Sequence, residues 1–230
     1  MTRTTNARLA GFTFLAYIAT GIASMLLFGQ AAAGAHAAAK LASITNHVTA
    51  VRVSAVLTLL TFFEAVVLAV TLFALTRDED LDLAILAMCC RVGEGVLGAV
   101  SALTTMQLLP VAAASTTSAP DATAATVLGA SLLDPSGASV TIGGTCFAVG
   151  STLFAYLFLR ARSIPVPLAW LGLVASVLLV VALPFQLAGF LPASLAWPIW
   201  MPMLAFEVTL ALWLLVKGVA VPSRQRSGRD

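Results

Sequence analysis

The 230-residue sequence is 60% hydrophobic and only 10% charged, with a formal net charge of +2, whereas soluble domains carry roughly 25% charged residues. Together with a mean hydropathy of +1.01, these values argue against a water-soluble globular domain, a disordered chain and a nucleic-acid-binding domain. They point to an integral membrane protein of many passes.

Apolar length marks six spans, each long enough to cross ~30 Å of hydrocarbon, which takes ~20 residues as a helix. In chain order they are residues 11–28, 54–76, 81–109, 140–159, 168–190 and 198–216. The third is interrupted by Arg91 and Glu94, and Pro184, Pro198 and Pro202 make kinks or late starts the expectation for the last two. Arg3 and Arg8 ahead of the first span, with Ala35-His36-Ala37 beyond it, have the outline of a signal peptide. The apolar core is too long and the alanines too distant, so the span is read as retained. Between spans, the stretches 30–53 and 110–139 are long enough for a small exoplasmic cap or a flexible loop. The links 77–82 and 160–167 are short, which makes the spans they join antiparallel neighbours.

The basic residues test this count independently. With a cytoplasmic amino terminus, the inner side holds Arg3, Arg8, Arg77, Arg160, Arg162, Lys217, Arg224, Arg226 and Arg229, and the outer side holds only Lys40 and Arg52. Positive-inside topology demands this bias, and one span more or fewer scrambles it. The expected architecture is therefore a single, all-α, six-span transmembrane bundle over residues 1–230, with both termini cytoplasmic and a basic cytoplasmic tail at 219–230. Lipid is its expected surrounding, the bacterial inner (plasma) membrane its expected location, and nucleic acid is not an expected partner.

Four charged residues fall well inside the spans: Glu64, Arg91, Glu94 and Glu207. A charge at the centre of a membrane helix costs roughly 2.5–3.5 kcal/mol on insertion scales, so each should face protein or trapped water. Arg91 and Glu94 are three residues apart and share a helical face, which continues through Gly98, Ser101 and Thr105 as a stripe expected to point into the bundle. On the second span Ser54, Thr58, Thr61 and Glu64 form another polar face, and Glu207 sits about halfway along the sixth. The simplest assembly brings spans two, three and six together around Arg91. Three carboxyls against one guanidinium then require at least one glutamate to be protonated or reached by water.

Other polar groups point less clearly to chemistry. Gly143, Gly144, Gly150 and Ser151 suit close helix approach, and Gln107 and Gln186 suit bonds across helices. His36 and His47 lack ligand spacing to Asp121 or Asp134, and Cys89, Cys90 and Cys146 lie in apolar stretches. No metal, cofactor or disulfide is therefore expected. No GxSxG, P-loop, HExxH or dinucleotide motif is present.

Several strings carry a family resemblance: Ala7-Arg8-Leu9-Ala10-Gly11 running into Tyr17 and Thr20-Gly21, Arg91-Val92-Gly93-Glu94, Arg162-Ser163-Ile164-Pro165, and Glu207 followed by Trp213 and Lys217-Gly218. The chain resembles the bacterial DUF4386 family of six-span membrane proteins. The resemblance implies the six-helix architecture and a shared pattern that includes Arg91, Glu94 and Glu207, but no reaction. Glu64 has no place in that pattern and joins the cluster by position alone. The functional expectation is a protein that binds or carries a small anionic molecule or lipid at Arg91, Glu94, Glu207 and Glu64. The alternatives are a structural or regulatory subunit whose polar cluster only joins helices, and an intramembrane enzyme, for which no nucleophile or metal is visible.

Overall fold

The computed structural model describes residues 2–116, 121–133, 138–192 and 195–220. The basic tail beyond 220 and Asp134 lie outside them. Every regular element among the described residues is a helix: α1 (Arg3–Ala31), α2 (Ala37–Asn46), α3 (Val48–Thr76), α4 (Leu81–Ser115), α5 (Asp121–Leu132), α6 (Ala138–Ala161), α7 (Val166–Leu187) and α8 (Ala196–Val216). Six of them, all but α2 and α5, are long and apolar enough to cross a membrane. An all-helical form follows from the solvent, because hydrocarbon offers no partner to an unpaired backbone amide and a helix satisfies its own.

The helices run longer than the apolar stretches that mark them. α4 continues through Pro110 to Ser115, and α7 and α8 run through Pro184 and Pro202. The two long connections are partly helical, since they contain α2 and α5, which pack on each other with the Leu41 side chain lying against Gly129.

Local chemistry explains the helix ends. Thr2 Oγ1 accepts from Thr5 N–H at the start of α1, and Asp80 Oδ1 accepts from Leu83 N–H at the start of α4, each satisfying an amide that has no partner within its helix. At the end of α7, Gly189 adopts φ +79°, Phe190 N–H donates to Phe185 O, and Gly189 N–H donates to Gln186 O. This is the paired Schellman termination, completed by the Phe185 and Phe190 rings at 6.0 Å. α6 ends in the same way with Arg162 at φ +48°, where Ser163 N–H reaches Phe158 O and Arg162 N–H reaches Leu159 O.

By contacts the chain divides into two compact units. The first comprises Met1–Tyr17, Phe63–Gly95 and Thr141–Asp230. Its core is built from Phe14, Leu68, Leu72, Phe147, Phe158, Leu179, Met203, Phe206 and Leu210, among others. The second comprises Ile18–Phe62 and Val96–Val140, with a smaller core around Ala31, Leu41, Ile44, Val51, Leu108 and Ala112.

Small residues set the helix approaches in the first unit. A Cβ added at Gly11 would stand 2.6 Å from Ala211 O and 2.9 Å from Leu215 N, both backbone atoms of α8. α1 and α8 therefore meet at a distance that only glycine permits. At one end of the same unit, Arg160 lies 2.9 Å from Glu79 and 3.1 Å from Asp80, which joins α6 to the α3–α4 turn. Arg3 donates to Leu75 O at 3.0 Å, covering a terminal carbonyl of α3. Because the α1–α8 contact is backbone against backbone, Gly11→Ala is expected to destabilise the detergent-purified protein by about 1–3 kcal/mol. A thermal or denaturant titration of the folded protein would show it, and an unchanged midpoint would contradict the packing described.

Candidate functional site

Among the described residues Arg91 is the largest fully buried side chain, 1% exposed, and it sits in the first unit on α4. Glycine in α6 makes its position possible: a Cβ added at Gly150 would come within 3.0 Å of Ala87 O and 3.1 Å of Arg91 Cγ. α6 thus passes directly over the aliphatic stem of the arginine. Among the four small residues of this helix singled out by sequence, Gly150 is the one that admits Arg91, while Gly144 lies against Leu183 and Trp200 of α7 and α8.

The guanidinium is held from several sides. Its Nη1 stands 3.0 Å from Glu94 Oε2, one helical turn along the same face of α4. This contact is an ion pair without hydrogen-bond alignment. The Tyr17 hydroxyl of α1 donates to the other carboxyl oxygen, Glu94 Oε1, at 2.5 Å. Two aromatic faces flank the cation, with Arg91 Cζ 4.6 Å from the Phe147 ring centroid and 5.7 Å from that of Tyr17. Such cation–π contacts contribute on the order of 0.5–2 kcal/mol, more where water is excluded.

On α8, Glu207 is 6% exposed and lines the same small cavity as Arg91. Phe206, its chain neighbour and a further lining residue, rests against α7 at Gly172, where an added Cβ would lie 2.4 Å from the ring. The volume open to the centre of a water molecule in this cavity is ≈ 10 Å³. Arg91 Nε and Nη2 and Glu207 Oε1 are all buried with no hydrogen-bond partner among the described residues. Leaving such groups unsatisfied costs about 1–3 kcal/mol each, more when they are charged.

Three of the four residues expected from sequence are therefore found around one centre. Arg91 and Glu94 form the ion pair, and Glu207 shares the cavity with Arg91. The fourth, Glu64, is half-buried on α3 and does not line that cavity. The hydroxyl stripes also take other partners. Ser101 and Thr105 donate to carbonyls of their own helix, Leu97 O and Ser101 O. In the second unit, Ser54 and Thr58 meet Ser24 of α1, whose hydroxyl donates to Ser54 O at 2.9 Å and lies 2.8 Å from Thr58 Oγ1. His36 and His47 are exposed, with His47 Nδ1 2.9 Å from Ser43 O. The Asp121 side chain, like Asp134, is outside what the structure describes. Among the described residues, no three His, Cys, Asp or Glu side chains gather as metal ligands.

Tyr17 and Phe147 are the partners that sequence reasoning passed over as site residues. A phenol deep in the first span was the available signal, since the chain has only two tyrosines and a buried Tyr hydroxyl needs a partner. Tyr17→Phe leaves Glu94 Oε1 without its donor, and the expected loss of folding stability is about 1–3 kcal/mol. The difference in thermal midpoint from wild type measures it, and a neutral substitution would rule out the hydrogen bond as a supporting contact.

No curated protein and no solved structure matches the chain. Residues 9–218 match the family model described as "Domain of unknown function (DUF4386)". That match spans all six long helices in whole or in large part, and includes Arg91, Glu94 and Glu207; the chain belongs to the DUF4386 family.

Proposed function

We propose that this integral membrane protein binds or carries a small anionic molecule, or the headgroup of an anionic lipid, at the Arg91, Glu94 and Glu207 centre. The observation that carries the reading is the set of buried, unpartnered donors on Arg91, Nε and Nη2, beside the unpartnered Glu207 Oε1. A guanidinium presents five donors in a planar fork suited to carboxylate and phosphate. Here the ion pair with Glu94 and the two aromatic rings engage one edge and the faces, while Nε and Nη2 are left without a hydrogen-bond partner among the described residues. In this reading Glu94, itself fixed by Tyr17, orients the guanidinium. Glu207 exchanges a proton, which keeps one cation and two carboxyls near charge balance in a medium that penalises excess charge.

A second reading has its own support. The Arg91–Glu94–Tyr17 chain with Phe147 joins α1, α4 and α6, and the neighbouring cavity is small, as suits a structural subunit whose polar centre only ties helices together. Native mass spectrometry of the detergent-purified protein beside Arg91→Ala and Arg91→Lys separates the two. The binding reading expects a defined small-molecule or lipid mass on the wild type that is lost from the folded alanine variant and weakened in the lysine variant, which lacks the fork. If no form retains a mass and the variants are merely less stable, the structural reading replaces it.

The charge distribution supports placement in a bacterial plasma membrane with both termini in the cytoplasm. A fluorescent protein fused after Asp230 is then expected to fluoresce, and alkaline phosphatase inserted within residues 30–53 to be active. Either reporter behaving in the opposite way overturns the orientation.

A further inference from the structure

We propose that the cavity between α4 and α8 is a water site, in which one water molecule accepts from Arg91 and donates to Glu207 Oε1. The inference deepens the reading of this centre as a binding site and rests on it, since the water occupies the place that an anionic ligand's oxygen would take. Three observations converge on it. A space of ≈ 10 Å³ is open to a water's centre, which admits a water molecule. Arg91 and Glu207 both line the space, and their buried Nε, Nη2 and Oε1 atoms have no hydrogen-bond partner among the described residues. The groups are also complementary: a guanidinium only donates and an ionised carboxylate only accepts. A single water, both acceptor and donor, satisfies the two at once where direct contact does not. Ser151 of α6 lines the same space and offers a third polar neighbour, within the two to four partners that buried waters use.

The remaining walls are apolar. Phe14, Phe154, Phe158 and Phe206 line the space with aromatic surface, and Phe206 is seated against Gly172. A ligand much larger than water requires these rings to move. The water links α4 to α8 through its own hydrogen bonds, which are nearly as favourable as direct ones.

Filling the cavity tests the proposal. Ala155 lines it and is buried, so Ala155→Val puts methyl groups in the water's place. Its effect is compared in the wild type and in an apolar background, Arg91→Met with Glu207→Leu. With the water present, Ala155→Val is expected to lower Tm by at least about 2–4 °C in the wild type, the shift for one lost hydrogen-bonding partner in a chain of this size. In the apolar background it should be neutral or raise Tm. An equal fall in both would mean simple overcrowding and a rise in both a dry cavity, and each overturns the proposal. Should the background fail to fold, infrared spectra of the wild type supply the readout: an O–H stretch that shifts in ¹⁸O-water and is missing from Ala155→Val is expected, and its absence refutes the water. A retained ligand mass in native spectra without either water signature would leave the ligand reading standing and remove the water; the water signature without a retained mass would do the reverse.

Discussion

A guanidinium that cannot lose its charge, held in the apolar core of a membrane protein, is the constraint around which the first unit is arranged. Desolvating an ion costs several kcal/mol even after relaxation, and lipid returns none of it. The surroundings of Arg91 offset that cost in parts: a carboxylate 3.0 Å away on its own helix, and aromatic faces from α1 and α6. Glu94 brings its own desolvation cost, and the Tyr17 hydroxyl reduces it. Each group that stabilises the cation thus recruits the next, and the chain of contacts ends on three different helices.

That arrangement depends on steric permission as much as on charge. Gly150 lets α6 cross the arginine stem, Gly11 lets α1 approach α8, and Gly172 receives the Phe206 ring that forms part of the cavity wall. Helix association in a bilayer lacks a hydrophobic driving force, so close backbone approach and dispersion contacts carry more of the stability than in water. A substitution at one of these glycines would therefore disturb the polar centre without touching a polar atom.

The polar centre and the rest of the hydroxyl groups obey different logic. Ser101, Thr105 and Thr61 return their protons to the preceding turn of their own helix, which satisfies them locally and leaves helix faces free to pack. Arg91 and Glu207 have no such local option, since a guanidinium or carboxyl in a helix interior cannot be satisfied by its own backbone. Among the described residues, only these two both carry unpartnered buried atoms and line one shared cavity, which is why binding chemistry is assigned there and not along the stripes.

Much of the architecture was legible before any tertiary contact. Apolar runs of about twenty residues permit one backbone solution in hydrocarbon, so the six long helices follow from length alone, and an ionisable residue inside such a run must face protein. That reasoning singled out Arg91, Glu94, Glu207 and Glu64, of which the last does not line the cavity, and the spacing of the first two implied their ion pair. Periodicity could not reveal which neighbours a face meets. Ser54 and Thr58 share a face with Glu64, yet they meet Ser24; Tyr17 and Phe147, with no charge to draw notice, complete the arginine's surroundings. Those choices belong to tertiary structure, because helix partners are selected by the fit of glycine against backbone and ring against glycine at a scale of tenths of an ångström, which a linear pattern of polar and apolar residues does not encode.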